Sequence, residues 1–254
     1  MSIDTLLSLQ LYSLRDEADL GRQLDIARDA GFAQVETFGP YYADAAQTRD
    51  LLDARDLRAP SGHFPLDAVT SGLEATMETA RTLGIGDIVM PAVPEVQRQM
   101  DAAGWREVGS RLGDAARRAA DAGFSLSYHN HHWELREEDG RSMLDHLFSA
   151  AGDAPLGWQA DIAWLVRGGG DPYAILQRHG ARLRSAHVKD LAPEGTHEDE
   201  DGWADVGYGT MDWPALWKAA RDMGAKLMVA EHDKPSDGAR FARRSFETLK
   251  DYPA

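Results

Sequence analysis

Short apolar runs alternate with longer amphipathic segments from end to end of the chain. The short runs predict eight strands, at Thr5–Tyr12, Gln34–Phe38, Arg58–Phe64, Asp87–Val93, Phe124–His129, Leu156–Asp161, Ser185–Lys189 and Lys226–Glu231. The longer segments predict helices, among them Leu20–Ala30, Leu73–Leu83, Trp105–Ala122, Met143–Ala151, Pro172–Arg178, Trp213–Met223 and one near Gly238–Lys250. Strands that alternate with helices form βα units on a parallel sheet. Four junctions carry the same punctuation, with Gly31, Gly84, Gly123 and Gly224 where a helix would end in a left-handed cap before the next strand. Eight such units in 254 residues match a (β/α)₈ TIM barrel in size and count. A doubly wound open sheet would announce itself by a glycine-rich phosphate turn after the first strand. That turn here reads Tyr12-Ser13-Leu14-Arg15-Asp16. No Pro/Ser-rich linker divides the chain, so residues 1–254 are expected to form one domain.

In such a barrel the chemistry gathers where strands end and βα loops begin. The polar residues at those ends are Glu36, His63, His129, Asn130, His131, Asp161, His187, Lys189, Glu231 and His232. Side chains two apart on a strand share a face, which sharpens the set. Phe124, Leu126 and Tyr128 form the apolar face of the fifth strand, leaving Ser125, Ser127, His129 and His131 for the barrel axis. Asp161 shares a face with Gly157 and Gln159, His187 with Ser185 and Lys189, and Glu231 with Leu227 and Val229. Four strands therefore aim His129, Asp161, His187 and Glu231 at one place. Two imidazoles and two carboxylates without sulfur suit one divalent metal ion, whether Mn²⁺, Mg²⁺, Co²⁺, Fe²⁺ or Zn²⁺.

Charge and composition narrow the partners. With 27 basic and 42 acidic side chains the formal net charge is −15. Such a field repels polyphosphate, and no basic patch overrides it, so neither nucleic acid nor an anionic membrane is an expected partner. The absence of cysteine removes disulfides, thiolate metal sites and thiol nucleophiles. Met1–Arg15 lacks the basic start and apolar run of a secretory signal, and a cytoplasmic location is expected. The acidic stretch Glu194–Asp201 reads as a solvated or mobile loop over the barrel mouth that disfavours a phosphorylated substrate. A homo-oligomer remains open.

Several motifs in order, Leu9–Arg15, Tyr128-His129-Asn130-His131-His132-Trp133-Glu134, Asp161-Ile162-Ala163-Trp164, His187-Val188-Lys189-Asp190, Val206–Trp213 and Ala230-Glu231-His232-Asp233, span nearly the whole chain. In them the sequence resembles the xylose isomerase-like barrel superfamily, specifically its sugar phosphate isomerase/epimerase branch. The resemblance implies a divalent metal held by Glu, Asp, His and Glu, chelating neighbouring oxygens of a sugar or keto-polyol. Asp161, His187 and Glu231 match the last three ligands. The first position holds His129 in place of Glu, with His131 or Glu134 as alternatives.

The expected reaction is isomerisation or epimerisation of a sugar or keto-sugar through an enediolate, with Glu231 as ligand and base and Glu134 or Glu36 as a second carboxylate. Loss of a β-hydroxyl from the same intermediate would instead make a dehydratase of a keto-inositol or 3-keto-sugar. His63 and Lys189 are placed to meet substrate hydroxyls or a developing oxyanion. Tyr12, His131, Trp133 and Trp164 are the candidate substrate-binding residues. A non-catalytic sugar-binding barrel and an apurinic-site endonuclease are the remaining alternatives, the latter opposed by the charge.

Overall fold

The computed structural model describes residues 2–254. Eight parallel strands close into a barrel in the order β1-β8-β7-β6-β5-β4-β3-β2. They are β1 Leu7–Gln10, β2 Gln34–Thr37, β3 Arg58–His63, β4 Asp87–Met90, β5 Ser125–His129, β6 Leu156–Asp161, β7 Leu183–Val188 and β8 Leu227–Ala230. The surrounding helices are α1 Leu20–Ala30, α2 Ala45–Asp53, α3 Leu73–Leu83, α4 Ala102–Asp121, α5 Met143–Ala151, α6 Pro172–His179, α7 Trp213–Asp222 and α8 Gly238–Leu249. All eight expected strands are present, and α1, α3 and α5 run as read from the sequence. The first strand ends earlier than expected. Gln10 turns its side-chain oxygen onto the Tyr12 backbone N–H, and Leu11–Leu14 winds into a 3₁₀ turn that puts Tyr12 on the rim. The glycines of the four junctions all take positive φ, from 78° at Gly84 to 111° at Gly31.

Acidity has a structural use that the net charge alone does not reveal. Asp19, Asp44, Asp101, Asp171, Asp212 and Asp237 cap the N-termini of α1, α2, α4, α6, α7 and α8, each accepting from a backbone N–H of the first turn. Carboxylates there satisfy orphan donors and oppose the positive end of the helix dipole. Every helix of a (β/α)₈ barrel starts at the mouth end, so these aspartates ring the face that carries the site.

Inside the barrel the odd strands repeat one motif, a serine followed two residues later by a larger polar side chain: Ser8 and Gln10, Ser61 and His63, Ser127 and His129, Ser185 and His187. All four serines are buried. Alternate strands contribute to a common layer of a barrel interior. Small serines in one layer leave volume for an amide and three imidazoles in the next. The apolar core lies outside this polar column, between sheet and helices, where Trp105, Trp158, Trp213, Trp217 and Phe241 are fully buried. Burial of each contributes about 1.5–3 kcal/mol or more. Among the described residues no helix is long and apolar enough to cross a membrane.

Two loops leave the barrel mouth as short antiparallel ribbons, Glu137–Glu138 with Arg141–Ser142 and Asp190–Leu191 with Trp203–Ala204. Asp190 ties the second ribbon down by accepting from the backbone N–H groups of Leu191, Gly207, Gly209 and Met211. The contact is so close that a Cβ on Gly209 would lie 2.2 Å from the Asp190 carboxylate. The acidic stretch is solvated as expected at Glu194, Glu198 and Asp199, which are exposed, but its far end is tied down. Glu200 turns inward onto Arg240 at 2.7 Å and the Ser236 N–H at 2.6 Å, and Asp201 pairs with Lys234 at 3.2 Å. With these two acids neutralised, the expected repulsion of phosphate loses much of its basis.

Candidate active site and metal centre

Glu36, at the end of β2, organises the floor. Its carboxylate accepts from Gln10 Nε2 at 2.7 Å, Ser61 Oγ at 2.5 Å, Gln159 Nε2 at 2.7 Å and His187 Nε2 at 2.7 Å, with His63 Nε2 at 2.9 Å. The two histidines, favouring its charged form, hold it well below the usual carboxylate range despite complete burial. A carboxylate sealed and saturated in this way does not face the cavity. It fixes the groups above it.

The orientation of Gln159 follows. An ionised carboxylate only accepts, so the Gln159 NH₂ faces Glu36, and its Oε1 must then accept from His129 Nδ1 at 2.9 Å and His63 Nε2 at 2.8 Å. Burial pushes His129 well below the usual imidazole range, so the ring is neutral with its proton on Nδ1. This tautomer, assigned from the hydrogen-bond network, leaves a lone pair on Nε2, which lies 3.7 Å from Asp161 Oδ2. His187 shows the same logic inverted: Nε2 is spent on Glu36, and Nδ1 points at Glu231 Oε2, 2.7 Å away, and at Asp161 Oδ2, 4.0 Å away. Placed between two carboxylates, His187 is raised to about 10.

Asp161 divides its oxygens between two tasks. Oδ1 caps the short helix Ile162–Arg167 through the Trp164 N–H at 2.9 Å, whereas Oδ2 is buried with no directed hydrogen bond and has the Lys189 ammonium as its ion-pair partner at 3.2 Å. Asn130 sets its backbone, accepting from the Asp161 N–H and donating to the Asp161 carbonyl, both at 3.1 Å. Lys189, fully buried, places Nζ 3.2 Å from Asp161, 3.1 Å from Glu231 and 2.6 Å from Asp233. Those three carboxylates hold it protonated by outweighing its desolvation.

Asp161, His187 and Glu231 offer donor atoms within 4.8 Å of one another, and His129 Nε2 adjoins them. Metal–donor bonds of about 2.1 Å place neighbouring ligands about 3–4 Å apart; His129 and His187 stand 3.7 and 4.0 Å from Asp161, and His187 and Glu231, hydrogen-bonded at 2.7 Å, would separate slightly. Charge agrees. Glu36, Asp161, Glu231 and Asp233 face Lys189 and protonated His187, an excess of two negative charges that becomes three when His187 Nδ1 gives up its proton to serve as a ligand, and that a dication would then reduce to one. Burial raises Asp161 to about 6 and lifts Asp233 above its usual range. The Asp161 oxygen that takes no directed hydrogen bond, the mixed nitrogen and oxygen donors and the excess of negative charge all fit a divalent ion. The second trio that lies close together, His63, His129 and His187, does not. Its facing nitrogens already donate to Gln159 and Glu36.

The structure separates the remaining candidates. His63, His129, His131, Glu231 and Asp233 line an inner well of about 350 Å³ together with Tyr12 and Phe38. Glu134 lies elsewhere and does not supply the expected second carboxylate. It is fully buried behind His131, its side chain bonded to the Tyr128 hydroxyl and the His131 N–H. Glu36 is likewise withdrawn into the floor. Trp133 stacks behind His131, ring centroids 4.2 Å apart, and supports that ring from outside the well, whereas Trp164 lines a neighbouring outer chamber. His232 is buried against Phe241, its Nδ1 accepting from the Lys234 N–H. Sequence reasoning assigned no role to Gln10, Gln159, Asn130 or Asp233. Gln159 was detectable from its inward phase two residues before Asp161, but nothing local marks Asp233 as the partner of Lys189.

Burial raises Glu134 to about 7 from 4.5. A carboxyl whose folded pKa is raised stabilises the native state fully below its unfolded value and loses that contribution as pH rises to the folded one. Stability is therefore expected to fall by on the order of 2–3 kcal/mol between about pH 4.5 and pH 7 through Glu134. Urea unfolding of the parent and Glu134→Gln across that window checks it, the variant giving a flatter profile.

A closed (β/α)₈ barrel with a mixed imidazole and carboxylate cluster at its mouth defines a class of metal-competent barrel proteins. This chain belongs to the xylose isomerase-like TIM barrel family, whose model matches residues 24–252. It is 28% identical over 270 residues to the rhizopine catabolism protein MocC of Rhizobium meliloti, covering 93% of this chain and 82% of that one. It is 22% identical over 278 residues to an inosose dehydratase of Lacticaseibacillus casei, covering 94% and 93%. Among solved structures, a sugar phosphate isomerase/epimerase from Parabacteroides distasonis superimposes with a TM-score of 0.81 at 19% identity, covering 98% of this chain and 95% of that one.

Proposed function

We propose that the protein is a metal-dependent dehydratase of a cyclic keto-polyol of the inosose type, acting by proton abstraction next to the carbonyl followed by loss of a β-hydroxyl as water. The observation that carries this reading is the one-sided distribution of charge in the well. The carboxylates that line the well, Glu231 and Asp233, both follow β8 and pair with Lys189, and its other titratable lining residues are His63, His129 and His131. An epimerase working through two carboxylates needs one on each side of the reacting carbon. Glu134 and Glu36, the only acids expected to supply the second, are turned away. The inosose dehydratase among the relatives points the same way.

His129 Nε2, Asp161 Oδ2, His187 Nδ1 and Glu231 are the residues that would hold the metal. A divalent ion there supplies Lewis-acid polarisation of a carbonyl oxygen. Glu231, held ionised by Lys189 and His187, is the base that takes the α-proton. The electron pair of the broken C–H bond forms the new C=C bond as the β C–O bond breaks, and a proton from Lys189 leaves with the hydroxyl as water. Lys189 also sits where negative charge develops on substrate oxygen. Isomerisation or epimerisation remains the second reading, favoured by the likeness to the Parabacteroides structure.

Incubation of inosose with the metal-loaded protein in D₂O, followed by NMR, tests the proposal. Formation of the unsaturated product is expected. Deuterium entry at the α-carbon or a change of configuration, with no water lost, would establish the second reading instead. Protein purified without chelator is expected to contain about one divalent ion per chain by elemental analysis. Because uptake must displace the His187 Nδ1 proton, affinity for Mn²⁺ is expected to rise with pH.

A further inference from the structure

The mouth of the barrel does not stop at the inner well. A wider chamber of about 680 Å³ opens beside it, between the helix Ile162–Arg167 and the ribbon loop that carries Gly195–Trp203, and Tyr12 and Asp233 line both spaces. Small-molecule pockets run from roughly 300 to 1,000 Å³. The inner well is thus sized for a single ring, and the outer chamber has room for another.

Its walls are polar and electrically balanced. Arg15, Arg167 and Lys234 face Glu198, Asp201 and Asp233. Two of those acids are already engaged, Asp201 by Lys234 at 3.2 Å and Asp233 by Lys189 at 2.6 Å. The guanidinium of Arg167 lies 4.4 Å over the Trp203 ring and 5.2 Å from that of Trp164, and among the described residues it engages no carboxylate. Arg15 lies 4.1 Å over the ring of Tyr12. A guanidinium held over a ring presents a planar set of N–H donors that matches neighbouring hydroxyls, one of those of Arg15 being spent on the Tyr12 carbonyl. Threonine and carboxylate acceptors stand opposite, at Thr196, Glu198 and Asp201. Donors, acceptors and aromatic edges without net charge suit a neutral polyhydroxylated group. Balanced walls offer a dianionic phosphate no net attraction.

Resting on the keto-polyol reading of the inner well, we propose that the substrate is a two-unit neutral polyol: the reacting ring carries, through oxygen, a second sugar-sized substituent that occupies the outer chamber. The inner well selects the carbonyl-bearing ring, and Arg167, Lys234 and Thr196 select the substituent.

Unreactive probes separate this from its alternatives. The Mn²⁺-loaded protein is titrated with one-ring probes, myo-inositol and methyl β-D-glucopyranoside, and with the two-unit probes galactinol and cellobiose. Binding is read by tryptophan fluorescence and ligand-observed NMR. The best two-unit probe is expected to bind at least about tenfold more tightly than the best one-ring probe, and the ratio to fall to near one in Arg167→Ala/Lys234→Ala. Equal affinity in the parent protein, or a preference that survives the double substitution, overturns the proposal while leaving the keto-polyol reading standing. Tighter binding of glucose 6-phosphate than of every neutral probe overturns it in favour of an anionic substituent. Binding of no polyol overturns both together.

Discussion

Replacing Glu231 by glutamine is expected to lower kcat/KM on the keto-polyol by about 10²–10⁴-fold, the range associated with loss of a positioned general base. The side chain is 5% exposed, at the junction of the inner well and the cation cluster, with His187 at 2.7 Å and Lys189 at 3.1 Å. Glutamine keeps the shape and one acceptor oxygen but removes the charge that both neighbours stabilise. Because the cluster carries an excess of negative charge, removing one carboxylate should leave thermal unfolding close to that of the parent. The loss then lies in the chemistry and in metal affinity, which steady-state rates and Mn²⁺ titration measure separately. A rate within tenfold of the parent would remove Glu231 from the role of base.

The largest effect on stability is expected at Lys189. Methionine fills a similar volume without the ammonium, so Lys189→Met leaves Asp161, Glu231 and Asp233 buried around a void of charge. Breaking a buried ion cluster by deleting one partner costs about 3–5 kcal/mol. For a chain of this size that lowers the melting temperature by roughly 10 °C. A dication on Asp161 and Glu231 replaces the missing charge, so Mn²⁺ should restore more stability to the variant than it adds to the parent. Calorimetry with and without Mn²⁺ measures both quantities, and a variant that melts with the parent in metal-free buffer would show Lys189 to be electrostatically idle.

Both expectations turn on residues that the sequence marked, yet for reasons it could not supply. His129, Asp161, His187 and Glu231 were legible because β-strand alternation has a period of two, and each falls in the inward phase at a strand end. Their convergence followed from the barrel alone. Glu134 was misjudged for a different reason. It lies in a 3₁₀ turn beyond the end of β5, where strand alternation no longer applies, and the turn carries it behind His131 onto Tyr128. Glu36 reads from the sequence as a strand-end acid but lies in the floor, because depth along a tilted strand depends on its register with its neighbours. The end of the acidic loop was misread because Arg240 and Lys234, which neutralise Glu200 and Asp201, lie 40 and 33 residues further along the chain.

By itself the sequence determined the eightfold alternation, the glycine stops, the inward phase of the ligand candidates and the absence of thiol chemistry. These are local properties, set by backbone geometry and side-chain type within a few residues. Only the tertiary structure decided which nitrogen each histidine leaves free, that Lys189 sits among three carboxylates, that Glu134 and Glu36 are withdrawn from the well, and that a second chamber adjoins it. Each of these depends on groups from distant strands meeting at hydrogen-bond distance in a medium that screens charge poorly. The chain's local pattern places such groups on a face, but closure of the barrel fixes what they touch.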